Sequence, residues 1–387
     1  MPRVDRTGAG ELSALLEQRV LAALLAAGGW LPFDRYMAMA LYEPGLGYYA
    51  RGAALFGVLP GDQGGHHGTG SDFITAPEMS PLFGAALARQ VAQVLRVAGL
   101  DEVIEFGAGS GALAEQILAA LAADGVALRR YAIVELTAAL RERQQQRLTR
   151  FGAQVIWLET WPDSIEAVVI GNEVLDAMPV KLLHFDGQHW FERGVVAAPG
   201  GPAPGHRLAF GDHPTTLRPP RAEQALPGAV LEIHPQGVAF VTTLASRLVR
   251  GAAFFIDYGF PEAEYYHPQR HQGTLMCHRA HRSDTDPLAE PGTKDITAHV
   301  DFTALALAAQ EAGAQVVGYT TQARFLLNCG LLELLRGADA RTVAAAQKLL
   351  AEHEMGELFK VLAFARDIPF AAEGPLGFGA GDRTHML

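Results

Sequence analysis

Two cysteines, Cys277 and Cys329, are all that the 387 residues carry. So few exclude a disulfide framework and a cysteine-rich zinc site, and they suit a reducing compartment. No long run of Lys or Arg interrupts a net charge of −11. A nucleic-acid partner gripped through a broad basic surface is therefore not expected, because phosphate contacts dominate that kind of affinity. No apolar stretch reaches about 18 uninterrupted residues, so no membrane insertion is expected. The start, Met-Pro-Arg-Val-Asp-Arg, soon turns acidic, and the first apolar run, Val20–Ala27, is short and follows Glu-Gln-Arg. No signal or transit peptide is read there, and the cytoplasm is the expected location. Glycine and proline are plentiful but not periodic, which excludes collagen and low-complexity chains. What remains is the apolar-to-charged balance of a packed enzyme.

The length exceeds one minimal domain. The expected organisation is an N-terminal helical or lid segment over 1–99 and a core over 100–387. Insertions are expected near 181–228 and 260–298, and a helical segment near 322–353. An amphipathic helix over 11–28 stops at Gly28-Gly29, and a second over 34–42 stops at Pro44-Gly45. The glycine-dense stretch Gly57–Gly70 reads as a loop. His66 and His67 lie in it, without a third partner to suggest a metal. Cys277, His278 and His281 are likewise too few for a metal site, so none is expected. A helix over 81–98 precedes a change of pattern. Short strands at 103–106, 130–134, 155–158 and 167–171 alternate with helices at 111–123 and 137–150. Such alternation predicts an α/β fold with a parallel, doubly wound, Rossmann-like sheet. Residues 181–196 are strand-rich with a turn at Asp186-Gly187. Further strands are expected at 229–233, 252–257, 315–319 and 359–364, and helices near 235–249 and 302–312. Residues 197–228 and 260–298 read as irregular, and no internal repeat is found.

The chemistry is expected at strand ends. Glu105-Phe-Gly107-Ala-Gly109-Ser-Gly111 lies between a strand and a helix. Glycines let the backbone turn tightly and approach a ligand, and the helix start offers free N–H groups. Read as Gly107-x-Gly109-x-x-Ala112, the turn also matches a dinucleotide fingerprint, so alone it does not name a cofactor. Glu105 favours S-adenosyl-L-methionine (SAM): a carboxylate there accepts from the cofactor's ammonium and repels a pyrophosphate. Glu135, ending the second strand, stands where the ribose hydroxyls of either cofactor meet an acid. The alternative for it is a solvated strand end. Asn172 and Glu173, ending the fourth strand, face the expected methyl end. A carboxylate there can hold a guanidinium in a bidentate pair and help take its proton. The alternative is that Glu173 and Asp176 cap the next helix. Asp257-Tyr258-Gly259 ends a fifth strand on the same side, as pocket lining or strand-end packing.

Taken together, several segments resemble the MidA-like family of class I methyltransferases, which includes the mitochondrial complex I assembly protein arginine methyltransferase. They are Gly47-Tyr-Tyr49, Ser71-Asp-Phe-Ile-Thr-Ala-Pro-Glu78, the glycine turn, Asn172-Glu-Val-Leu-Asp-Ala-Met-Pro179, Ile256-Asp-Tyr-Gly259, Pro291–Phe302 and Met355-Gly-Glu-Leu-Phe-Lys360. The resemblance spans about 40 to 365. It implies a seven-stranded sheet with added N-terminal helices and insertions, and SAM as methyl donor. It further implies ω-N methylation of a target arginine in a protein substrate, with a respiratory-complex subunit as acceptor in eukaryotes. By motif position Gly107, Gly109 and Glu135 carry over to the cofactor; Glu105, Gly111, Asn172, Thr75 and Pro77 are also expected to contact it, the Ser71–Glu78 segment bordering the cofactor or substrate cleft. Asn172 and Glu173 carry over to the methyl-transfer end, and Asp176 is expected beside them as a further catalytic residue. The family turn commonly has Pro and Arg where this chain has Ala108 and Ser110, but the glycines are kept. The expectation is a bacterial cytoplasmic member. A small-molecule acceptor, a non-catalytic assembly factor and a nicotinamide oxidoreductase are the competing readings, and nothing in the sequence sets an oligomeric state.

Overall fold

Short runs of Val, Ile and Ala bounded by turn residues form the strands of a central sheet. The protein is described by a computed structural model covering residues 6–51, 75–198, 207–279, 282–372 and 374–387. The Gly57–Gly70 loop with His66 and His67, the Ser71–Ile74 stretch and His281 lie outside the described residues. The chain forms two compact units. One comprises Ile74–Leu175, Val238–Pro261 and Val300–Leu387, and the other Met1–Phe73, Asp176–Gly237 and Glu262–His299.

In the first unit the strands are β1 (Glu102–Phe106), β2 (Arg130–Val134), β3 (Val155–Leu158), β4 (Ile165–Asn172), β5 (Leu248–Phe260), β6 (Gln315–Thr321) and β7 (Phe359–Arg366). Their order is β6-β7-β5-β4-β1-β2-β3, the seven-stranded path expected, and a short strand Val300–Asp301 adds to β5. Strands β1 to β5 pair in parallel, and β7 runs antiparallel to β5 and β6. Every residue of β1 is buried, which is why it reads as a continuous apolar run broken only by acids. The chain steps outward from β1 to β3 and then returns to place β4 on the other side of β1. The strand order therefore reverses between β1 and β4, and their carboxyl ends open on one edge, where ligands of such sheets bind.

Helix Pro81–Ala98 begins at Ser80, whose side chain accepts from the Leu82 N–H, has proline in its first turn, and ends at Gly99 with φ +62°. Gly99 is the stop expected from the sequence, but Pro77 and Glu78, which read as the entry to this helix, form a separate short helix, Ala76–Met79, and Ser80 makes the start. It packs against helix Ala112–Ala123, so it belongs with the sheet. The units thus divide the chain elsewhere than at residue 99. The first helix, Arg6–Ala26, falls in the other unit, together with both stretches expected as insertions.

That other unit has a five-stranded sheet ordered Leu31–Pro32, Trp190–Ala197, Lys181–Phe185, Ala229–Ile233, with Leu208–Pro214 on Trp190–Ala197. The turn at Asp186-Gly187 forms as expected: Gly187 has φ +105°, and Asp186 Oδ1 accepts from the Gln188 and His189 N–H groups. Strand Leu208–Pro214 was expected to be irregular. It is a mostly exposed edge strand carrying Gly211, Asp212 and Pro214, a composition that hides strand character. Residues 260–298 also hold more structure than expected, with a three-stranded sheet of Met276–Arg279, Arg282–Asp284 and Asp295–Thr297. Its Cys277 and Ile296 pack into a cluster with Val20, Phe33, Tyr36 and Val195. Among the described residues no helix is long and apolar enough to cross a membrane.

Candidate active site

Phe106 of β1 lies level with Val134 of β2 and Gly171 of β4, and Gly171 lies level with Phe255 of β5. The residues that follow these ends therefore emerge side by side. Gly107, Gly109 and Gly111 all have left-handed backbone, with φ of +63°, +53° and +82°. A side chain is disfavoured there at each step. At Gly107 a Cβ would also stand 3.0 Å from Val174 Cγ2. Helix Ala112–Ala123 starts directly after Gly111, so its first N–H groups have no partner within the helix and face the turn.

Glu135, just past β2, is held on three sides. Its Oε1 accepts from the Thr137 N–H (3.0 Å) and Thr137 Oγ1 (3.1 Å), and its Oε2 from Gln144 Nε2 (2.9 Å). Burial pushes its carboxyl above the usual range, and these donors pull against that. Next to it Leu136 is 83% exposed. An acid with two accepting oxygens beside an open apolar side chain suits a nucleoside: hydroxyls for the acid, a base face for the leucine.

Glu105 behaves differently from the expectation. Only 2% of it is exposed, and the buried Tyr131 hydroxyl donates to its Oε2 at 2.8 Å. Burial raises its pKa to about 8, with Tyr131 opposing and the Glu135 charge adding to the rise. Burial thus favours the neutral form of this carboxyl in the cofactor-free chain, which weakens the repulsion of a pyrophosphate expected from a standing charge. Residue type alone suggests an ionised acid, because burial is set by the fold and not by the residue.

The Thr75–Glu78 segment is tied to the turn. Thr75 precedes the short helix Ala76–Met79, without a side-chain cap bond, and Pro77 lies in its first turn. Gln116 Nε2 donates to the Pro77 carbonyl (2.7 Å). Glu78 Oε1 accepts from Ser110 Oγ and from Arg147 Nη1 (3.0 Å), and Arg147 also reaches Glu115 Oε2 (3.1 Å). Neither Arg147 nor Gln144 stood out in the sequence. Both sit in the polar run Arg141–Arg147, where periodicity marks an outer face and only the fold reveals an inward contact.

At the end of β4, Asn172 Nδ2 donates to Glu173 Oε1 (3.1 Å). The Asn172 Oδ1 is buried and has no hydrogen-bond partner among the described residues, a polar atom that invites a donor from a ligand. Glu173 has φ +52°, and its N–H donates to the Ile256 carbonyl of β5 (2.9 Å). Asp257 Oδ2 accepts from the Leu175 N–H and its Oδ1 from the Tyr258 N–H, both at 2.9 Å. Asp257 thus braces the bend that carries Glu173. Asp176 falls in the other unit, where its side chain is buried and its carbonyl accepts from the Ala298 N–H (3.0 Å).

Comparison with known proteins bears on what this edge holds. The mitochondrial protein arginine methyltransferase NDUFAF7 of Danio rerio is 28% identical over 383 residues, covering 88% of this chain and 84% of that one. Its Caenorhabditis elegans homolog is 26% identical and covers 95% and 91%. A Burkholderia thailandensis protein solved with S-adenosyl-homocysteine bound is 48% identical, superposes with a TM-score of 0.91 and covers both chains fully. The glycine turn, the acid after β2 and the orphaned Asn172 oxygen fit the same adenosyl ligand class. Residues 86–320 match the model of the S-adenosyl-L-methionine-dependent methyltransferases, and the chain belongs to that family.

Proposed function

We propose that this methyltransferase acts on a target arginine of a protein substrate. The observation that carries the reading is Glu173, a carboxylate at the carboxyl end of β4 in left-handed backbone and oriented by Asn172. The names of the Danio rerio and Caenorhabditis elegans relatives support the acceptor. A respiratory-complex subunit is the candidate protein that the MidA-like resemblance supplies.

SAM, when bound, supplies an electrophilic methyl group. Gly107, Gly109 and the first N–H groups of helix Ala112–Ala123 let backbone approach it, and Glu135 receives the ribose hydroxyls. Leu136 offers the base an apolar face. Glu105 would accept a hydrogen bond at the amino-acid end, where the positive charge of a cofactor ammonium would favour the ionised carboxylate, its proton passing to solvent. Thr75 and Pro77 border the cleft, and Glu78 fastens them to the turn through Ser110. The side chain of an acceptor arginine starts fully protonated, with a pKa above about 12, so its nitrogen must release a proton as it gains the methyl. Glu173 pairs with the guanidinium, aligns the attacking nitrogen and accepts the proton which that nitrogen releases as it gains the methyl. Asn172 fixes the rotation of that carboxylate by donating to Oε1. Alignment of this kind lowers the barrier by removing orientational freedom before the reaction.

The test is mass spectrometry of cell extract incubated with isotopically labelled SAM, with and without the enzyme. The expected result is labelled methyl on arginine of one or a few proteins, present only with active enzyme and absent with Glu173→Gln. Label confined to small molecules would overturn the acceptor, and no transfer to any acceptor would favour a non-catalytic role.

A further inference from the structure

One side chain of helix Ala138–Leu148 links the ends of three strands. Gln144 is fully buried. Its Nε2 donates to the Gly109 carbonyl and to Glu135 Oε2, both at 2.9 Å. Its Oε1 accepts from Trp157 Nε1, also at 2.9 Å. The amide therefore touches the turn after β1, the acid after β2 and an indole on β3. Its stem passes Gly111, where a Cβ would contact Gln144 Cγ at 3.5 Å.

We propose that Gln144 is a positioning residue for ribose recognition: it sets the Glu135 carboxylate against the glycine turn, and Trp157 sets which way the Gln144 amide faces. The second half follows from donor chemistry. An indole N–H can only donate, so it selects the amide oxygen. The two amide hydrogens are thereby turned toward Gly109 and Glu135, each of which offers only acceptors. Rotating the amide by half a turn would put its NH2 against the indole N–H and its oxygen against a carbonyl and a carboxylate, breaking all three bonds at once. Glu135 gains from Gln144 a fixed Oε2, while Thr137 fixes Oε1. A carboxylate held at both oxygens, with Oε1 taken twice and Oε2 once, presents its remaining acceptor site on Oε2 in one direction, which suits a ribose hydroxyl. Because Gln144 also holds the Gly109 carbonyl, the acid and the turn cannot shift independently. The inference rests on the reading that Glu135 meets the ribose.

The experiment compares calorimetric affinities for S-adenosyl-homocysteine and its 2′,3′-dideoxy analogue in the full chain. Wild type should prefer the hydroxyl-bearing ligand by roughly ten-fold or more, the scale of a charged hydrogen bond. In Gln144→Met, which keeps the volume and removes the polar head, that preference should collapse toward one. Trp157→Phe should lower it part of the way by freeing the amide to rotate, and it keeps the test open if Gln144→Met does not fold. Loss of overall affinity with the preference intact would assign Gln144 a merely structural role and overturn the proposal. A wild type without preference would instead remove the ribose role of Glu135, and the proposal with it.

Discussion

At the end of β1, the three residues with left-handed backbone are glycines. At the end of neighbouring β4, the residue with that backbone is Glu173. The two bends stand side by side and solve the same geometric problem with opposite chemistry. In the turn the backbone itself is the binding surface, so a side chain would only obstruct, and glycine adopts the conformation without cost. At β4 the side chain is what the site uses. A non-glycine residue there costs about 1–2 kcal/mol, and the fold holds it by the Ile256 carbonyl and the Asp257 carboxylate. Strain retained at a residue that glycine would relieve is the pattern of a functional side chain.

The comparison breaks most visibly if Glu173 is altered without altering its shape. Glu173→Gln should lower methyl transfer by about 10²–10⁴, the range of a lost proton acceptor, with affinity for S-adenosyl-homocysteine changed by no more than a few-fold. Full activity in that variant would make Glu173 a strained residue with no chemical task. The converse substitution is Gly107→Val. It adds a β-branched side chain at φ +63° against Val174 and should weaken cofactor binding by roughly a hundred-fold or more. Calorimetry on protein whose thermal unfolding remains cooperative is the check, and wild-type affinity would move the cofactor away from this turn.

A smaller effect concerns the acid beneath this comparison, Glu105. Its carboxyl is raised in the folded state from 4.5 to about 8. Between those values the unfolded chain gives up the proton while the folded chain keeps it. The stability this carboxyl contributes is therefore complete below about 4.5 and is lost as pH rises through about 8. Glu105→Gln should flatten the fall in cofactor-free stability across that window, by a few kcal/mol at its upper end. Denaturant unfolding from pH 5 to 8.5 measures it, and parallel curves for the two proteins would mean that the buried group is ionised throughout.

The difference between the two bends also explains what could be read from the sequence. Glycines at alternate positions after an apolar run announce a turn, because few other functions need them. Short apolar strands announce themselves by composition, and β1 to β7 are legible for that reason even where, as in β3, burial is partial. Glu173 could be placed at a strand end, but its left-handed backbone could not, since no residue type marks it. Gln144 and Arg147 were hidden in a polar helix, and their partners Gly109, Trp157 and Glu78 come close only when the sheet assembles. The neutral state of Glu105 was hidden too, because burial and not residue identity sets it. Strand Leu208–Pro214 was missed because an edge strand is protected by the same glycine, proline and charge that disguise it.

The finest test of the comparison is a difference between two variants at one site. Elsewhere in a fold, alanine is more stable than glycine by about 0.5–1 kcal/mol, since it has less freedom to lose. Both Glu173→Ala and Glu173→Gly remove the carboxylate and its bond from Asn172, so those losses cancel when the two are compared. What remains is backbone preference at φ +52°. If that conformation persists without the side chain, Glu173→Gly should be the more stable of the pair by about 1 kcal/mol, the reverse of the ordinary order, with both inactive. At the exposed helical site Ala344, Ala→Gly should be destabilising in the same assay and so calibrate it. Should Glu173→Ala prove the more stable, the bend would be held by the glutamate side chain itself, and the left-handed backbone would be a consequence of its contacts rather than a constraint imposed by Ile256 and Asp257.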